Sequence, residues 1–449
     1  MTEYLINILS INKLIRTILF IVWLSFPVNS WGETLSVTLD DSIQIALKNN
    51  PQIEIAYQQY RGSEGIITQT RSRYLPHLGT GLSYGRVHVE GSLPVDEANV
   101  GMGLLEVSQL IYDFGKTTGM IDASAYGRDA TIENLKQIYH NVVFSVKSSF
   151  YSVLESKRLI TVAEQAVSNY EQQLYRAQRY FQAGVRTRID VTNAEVNLSR
   201  QKLALLRANS DLKVSKTHFE QVLGAKPNRG SYDIKVDEAQ LENLVIQKPN
   251  MPGPLENLLV IAQKNRPGLE QLTYLIKAAE SNLKRAKGDY WPTIDATGDY
   301  LDTQTDLSDP DDRWQVAVGL TWELFSGFET EGKVVEANAF LREVKSSFRE
   351  FDLTVTQEVT DSYLRADENR EGVEIADQTL ALAQENLDLA EGRYKSGIGD
   401  VLEFNDAQLL YTQNQSDLVI TYYNYLTALA RIERAVGVIP ELEGHDFTP

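Results

Sequence analysis

The chain has 449 residues, with 61 acidic against 43 basic side chains, a formal net charge of -18 and no cysteine. The absence of cysteine excludes disulfides, thiolate metal sites, a cysteine nucleophile and an acyl anchor on a lipobox cysteine. The acidic balance leaves no basic stripe for a nucleic-acid partner, while 43% hydrophobic residues are enough for an ordered chain with a sizeable core.

In chain order, residues 1–32 read as an export signal. Lys13 and Arg16 precede the apolar run Thr17 to Val28, and the small residues Ser30 and Gly32 offer a cleavage site. The alternative is an uncleaved anchor, but about 12 apolar residues are short for a spanning helix. No later run reaches the about 18 apolar residues such a helix needs, so any part of this chain in a membrane is expected to be strands.

A helix is expected from Leu39 to Thr70. Pro76 then stops helix and opens strand, with strands at about 78–89 and 100–110 joined around Gly91 to Ala98. From Lys116 to Gln182 there is no proline and a sustained helical period. At about 1.5 Å per residue this helix is roughly 100 Å long. It breaks at the tip Tyr180-Phe-Gln-Ala-Gly184-Val185, and a returning helix holds its seam with Val191, Ala194, Leu198, Gln201, Leu205, Ala208, Leu212 and Ser215. Residues 33–223 therefore form one unit. Residues 224–254, rich in Pro, Gly, Asn and Asp, read as a linker.

The same unit then returns at 255–438. A helix from Leu255 to Lys287 precedes Pro292, and strands follow at about 293–301 and 315–325 across an acidic loop, Asp302 to Arg313. Val316, Val318, Leu320, Trp322 and Leu324 alternate strictly with Ala317, Gly319, Thr321 and Glu323. A second long helix, Glu329 to Lys395, ends at Arg393-Tyr-Lys-Ser-Gly397-Ile398, about 213 positions after the first tip, and a returning helix carries Phe404, Ala407, Tyr411, Asn414 and Leu418 on its seam. Residues 439–449 read as a polar tail.

The fold class is mainly α with β, one helix-strand-strand-helical hairpin unit used twice. Strands of about ten residues suit an outer-membrane barrel; a soluble sheet with one wet face is the alternative. Four strands cannot close a barrel alone, so they pack on helices or are pooled between chains.

The duplicated order of elements, Pro76 and Pro292, the turns Ile111-Tyr-Asp-Phe-Gly115 and Leu324-Phe-Ser-Gly327, and the tips YFQAGV and RYKSGI resemble the TolC-like family of outer-membrane efflux ducts over residues 36–438. The resemblance implies a homotrimer whose pooled strands make a 12-stranded outer-membrane β-barrel, continued by a 12-helix periplasmic α-barrel. It implies the exit duct of a tripartite efflux or type I secretion system, with outer-membrane lipid, a periplasmic adaptor and an inner-membrane transporter of RND, ABC or MFS class as partners. Glu403 and Asp406 match the constriction carboxylates; six such groups at one narrow point favour cations. Their alternative reading is ordinary carboxylates in the first turns of a helix. Tyr394 and Asp190 match latch positions between neighbouring hairpins. The expected basic partner two residues after the tip glycine is Gly399, so Arg186 or Arg188 of the first copy is left for that role, with Arg188 assigned. Gly184, Val185, Gly397 and Ile398 resemble adaptor-docking tips, while each glycine also suits a left-handed turn.

No catalytic, cofactor or metal site is expected. Gly81-Leu-Ser83-Tyr-Gly85 has the spacing of a hydrolase elbow but lies inside an alternating strand. Gly115-Lys-Thr117 lacks the earlier glycine of a phosphate loop, Asp113-Phe-Gly115 lacks its kinase companions, and the five histidines are scattered. The competing functional reading is a periplasmic coiled-coil scaffold without channel activity.

Overall fold

The computed structural model describes residues 36–88, 97–226, 233–234, 248–305 and 308–442. The expected export signal, most of the first strand loop, most of the linker and the end of the tail lie outside these residues. The elements are β1 (Ser36–Val37), α1 (Leu39–Asn49), α2 (Pro51–Ser72), β2 (His77–His88), β3 (Glu97–Tyr112), α3 (Lys116–Gln182), α4 (Arg188–Val222), β4 (Asp233–Ile234), α5 (Leu255–Asn265), α6 (Pro267–Gly288), β5 (Thr293–Thr305), β6 (Ser308–Thr321), α7 (Glu329–Lys395) and α8 (Val401–Val436). A 3-10 turn at Pro440–Leu442 follows.

The long helices α3 and α7 have 67 residues each, and each folds back on its return helix, α3 on α4 and α7 on α8. α8 also packs on α3, which joins the two copies, while α2 packs on α3 and α6 lies against both α3 and α7. The central core gathers Leu135, Val142, Val146, Phe219, Val373 and Tyr425. Inside it, the Lys147 ammonium is held by Glu433 at 2.6 Å and Glu441 at 2.7 Å.

The helices expected over Leu39–Thr70 and Leu255–Lys287 are each two helices, broken before Pro51 and Pro267. A residue preceding proline is driven out of the helical region, and Asn50 (ψ 123) and Arg266 (ψ 114) are extended. The freed backbone is not left open. Asn50 accepts from the Gln52 amide at 2.9 Å and donates to the Val222 carbonyl at 2.8 Å; the Arg266 guanidinium donates to the Arg434 carbonyl and, at 2.6 Å, to Glu358. Both carbonyls belong to the last turn of a return helix, where orphan acceptors occur. Each joint therefore locks a break to a hairpin end.

The strands also differ from expectation. The segment Asp302 to Arg313 is mostly strand rather than loop, because β3 continues to pair with β5 out to Val100↔Thr305 and β6 follows with Asp302↔Asp312. β6 ends at Thr321 instead of Phe325 because its partner β5 begins at Thr293, which pairs with Thr321, and Pro292 before it has no amide to donate; beyond the ladder the Trp322 indole donates to the Tyr290 carbonyl at 3.2 Å. The sheet is antiparallel in the order β2-β3-β5-β6, with β2 and β6 as edges. β1 and β4 form a separate parallel pair that ties the start of the first unit to the linker. The tail is not wholly polar either. Ile439 and Leu442 are buried in the central core and Glu441 reaches Lys147, so burial and a cation hold its first turn down.

Candidate functional site: the exposed sheet and the helical tips

Strand alternation and register put Leu78, Leu82, Tyr84, Leu105, Val107, Tyr300, Trp314, Val316, Val318 and Leu320 on one face. The opposite face carries Ser83, Glu106, Thr297, Asp299, Gln315 and Thr321. The apolar face is bare: Leu82 is 89% exposed and Val316 74%. An apolar patch of this extent on a single chain marks a membrane or protein contact. Among the described residues no helix is long and apolar enough to cross a membrane. Ser83 of the elbow-like motif lies inside β2, which runs into β3 and not into a helix.

Both strand-opening prolines, Pro76 and Pro292, immediately precede β2 and β5. At the other end of each hairpin two successive residues are left-handed, Phe114 (φ 54) with Gly115 (φ 99), and Gly327 (φ 64) with Phe328 (φ 71). This pair of left-handed residues reverses the chain from sheet to long helix. Asp113 braces the first turn, accepting from the Thr117 amide at 2.6 Å and the Gly115 amide at 3.2 Å; Ser326 accepts from the Thr330 amide at 3.4 Å in the second. Asp113 of the Asp-Phe-Gly triplet is therefore a buried turn residue.

The two tips share one geometry. Gly184 (φ 72) and Gly397 (φ 75) are left-handed, and the next amide bonds back five residues, Val185 to the Tyr180 carbonyl at 2.9 Å and Ile398 to the Arg393 carbonyl at 3.1 Å. Val185 and Ile398 project into solvent, 67% and 76% exposed. Gly399, where a basic residue was expected, packs so tightly that a Cβ would lie 2.9 Å from that of Arg393. The second tip therefore excludes any side chain there.

Tyr394 is 4% exposed and its ring stacks on Phe404 at 5.4 Å, with Tyr180 edge-on at 6.2 Å. The cation over this ring is Arg186, at 5.1 Å, and not the assigned Arg188, which is exposed. Arg186 reaches the ring because the first tip turns it inward, half-buried, whereas Arg188 begins α4 on its outer side. Asp190 is engaged locally, accepting from the Thr187 amide at 3.0 Å and hydroxyl at 3.1 Å to cap α4. Burial raises the Tyr394 phenol above its ordinary pKa; Arg186 opposes and Asp190 adds to that rise.

Glu403 and Asp406 lie near the start of α8 on an exposed surface with Leu402, Leu409 and Leu410. They are not equivalent. Arg393, across the hairpin, holds Glu403 at 3.1 Å. Asp406 is exposed, and its charge adds to the burial that raises the Tyr170 phenol on α3. Gln173 donates to the neighbouring Asn405, and Arg176 reaches Glu391, so α3 is clamped to the second tip. Sequence reasoning missed Arg393 as a partner; its only signal is a cation and a carboxylate placed either side of a tight turn.

A bare apolar sheet face, two open sheet edges and helical hairpins of roughly 100 Å are the features of the outer-membrane efflux channel class. The chain belongs to the outer membrane efflux protein family, whose model matches residues 42–225 and 258–438. It is 24% identical over 423 residues to outer membrane efflux protein BepC of Brucella suis biovar 1 (strain 1330), covering 92% of this chain and 89% of that one. It is 22% identical over 414 residues to outer membrane protein TolC of Escherichia coli (strain K12), covering 89% and 82%. Its fold matches the crystal structure of outer membrane protein VceC from Vibrio cholerae with a TM-score of 0.77, at 16% identity, over 89% of this chain and 96% of the other.

Proposed function

We propose that this chain is one protomer of a homotrimeric channel-tunnel, the exit duct of a tripartite efflux or type I secretion system. The observation that carries this reading is the sheet: its apolar face is bare and its edges β2 and β6 end the strand order. Pairing β6 of one chain with β2 of the next removes those edges and closes the barrel that four strands cannot close. Units 33–223 and 255–438, linked by 224–254, each supply half of the protomer's wall after removal of an export signal at 1–32. The exposed tips at Gly184-Val185 and Gly397-Ile398 meet a periplasmic adaptor, which couples the duct to an inner-membrane transporter. Tyr394, with Arg186 over its ring and Asp190 beside it, holds neighbouring hairpins shut in place of a latch through Arg188, and Glu403 and Asp406 line the narrowest point. A scaffold without channel activity leaves the apolar face unexplained.

Single-channel conductance of the purified trimer in a planar bilayer tests this, with Glu403→Ala/Asp406→Ala beside the wild type. A small cation-selective conductance that loses selectivity in the double variant is expected. Equal selectivity in both overturns the site assignment, and folded, inserted trimers without conductance overturn the duct.

A further inference from the structure

Below the apolar face, where α6 runs into β5 and β3 turns into α3, a groove of about 350 Å³ is lined by Phe114, Leu283, Lys284, Lys287 and Trp291 together with Glu280. We propose that this groove binds an anionic phospholipid of the periplasmic leaflet, with the phosphodiester on Lys284 and Lys287 and an acyl chain on Phe114 and Trp291. The proposal rests on the outer-membrane reading above.

Three observations converge on that ligand. The first is an aromatic wall at the helical end of the apolar face. Phe114 and Trp291 stack at 5.5 Å with 18° between their planes, and Tyr112 meets Phe114 edge-on at 4.7 Å. All three rings are exposed. Amphipathic and aromatic rings at this level of a barrel mark the boundary between hydrocarbon and headgroups.

The second is the direction of the turn. Phe114 is left-handed (φ 54), as is Phe328 (φ 71) at the matching turn of the second copy, and in the first copy this turn aims the ring at Trp291, 5.5 Å away.

The third is uncompensated charge. Lys284 and Lys287 are one helical turn apart on the same face of α6. The carboxylate in the groove, Glu280, is taken by Lys345 at 3.0 Å, and Asp289 by Lys116 at 3.6 Å and Lys333 at 3.9 Å. Among the described residues Lys284 has only Asp122, at 3.9 Å, and no ion pair involves Lys287. Two such cations beside an apolar wall are at odds with a chain of net charge -18, and an anionic headgroup above an acyl chain supplies the matching pattern.

The test uses the full trimer in phosphatidylcholine nanodiscs doped with acyl-brominated phosphatidylglycerol or acyl-brominated phosphatidylcholine. Bromine quenches nearby tryptophans, and subtracting Trp291→Phe isolates the Trp291 signal. Quenching by the anionic lipid is expected to exceed that by the zwitterionic one at least about two-fold, and Lys284→Gln/Lys287→Gln is expected to bring the ratio to one while trimer yield and conductance stay unchanged. A ratio of one in the wild type, which leaves the groove to a protein partner, overturns the proposal, as does a ratio preserved in the double variant. If the Trp291 ratio is one while Trp314 on the apolar face is quenched by both lipids, insertion stands and only the groove's assignment falls. If neither lipid quenches any tryptophan, the outer-membrane reading falls too.

Discussion

At the scale of residues, the second tip separates two carboxylates that look alike in the sequence. Glu403 shares its charge with Arg393 at 3.1 Å, whereas among the described residues no ion pair involves Asp406, whose charge adds to the burial that raises the Tyr170 phenol on α3. Asp406→Asn is therefore expected to reduce cation selectivity more than Glu403→Gln, and Arg393→Gln to raise it by freeing Glu403. Reversal potentials under a salt gradient read all three. His140 offers a second residue-scale test. Burial, reinforced by Arg266 and Lys136, pushes its pKa down to about 4. The fold thus favours the neutral ring, and the stability this contributes is complete above the unfolded pKa of about 6.5 and is lost as pH falls towards 4. On the order of 3 kcal/mol is at stake across that window. The melting temperature of the trimer is expected to fall between pH 7 and pH 4 in the wild type and to fall less in His140→Gln.

At the scale of elements, the two breaks at Asn50-Pro51 and Arg266-Pro267 are joints, each closed by a left-handed glycine at the end of a return helix. Gly224 (φ 75) comes so near Asn49 that a Cβ would sit 2.3 Å from its carbonyl oxygen, and at Gly437 (φ 77) the distance to the Asn265 oxygen would be 2.8 Å. Gly224→Ala combines conformational strain with this collision and is expected to cost about 1–3 kcal/mol, seen as a lower temperature of trimer dissociation. Gly184→Ala, with nothing near its Cβ, carries only the left-handed strain of about 1 kcal/mol, so it is expected to be the milder change. Pro51 and Pro267 themselves stand in the sequence, each inside a segment of helical period. The partners across each joint are not legible there, because Asn50 and Val222 lie 172 residues apart and Arg266 and Arg434 lie 168 apart.

At the scale of the whole molecule, the sheet decides between duct and scaffold. Val316 lies on the apolar face, on β6, and is 74% exposed. In a bilayer Val316→Arg is expected to cost about 2–4 kcal/mol near the midplane and to lower the yield of outer-membrane trimers. In a soluble scaffold the same change on an exposed position leaves yield unaltered, so fractionation of the variant distinguishes the two.

The sequence by itself determined the duplication, the tips and the span of both 67-residue helices. Local signals suffice for these: helical periodicity, absence of proline and a glycine able to turn left-handed all act within a few residues. It also set the alternation that puts Val316, Val318 and Leu320 on one face. Only the tertiary structure decided that β5 and β6 extend through an acidic segment, since the ladder from β3 supplies backbone partners that outweigh side-chain character there. Only it paired Arg393 with Glu403 and replaced Arg188 by Arg186 over the Tyr394 ring. Those contacts depend on where a tip directs long side chains, and a tip's direction is set by packing between hairpins that lie far apart in the chain.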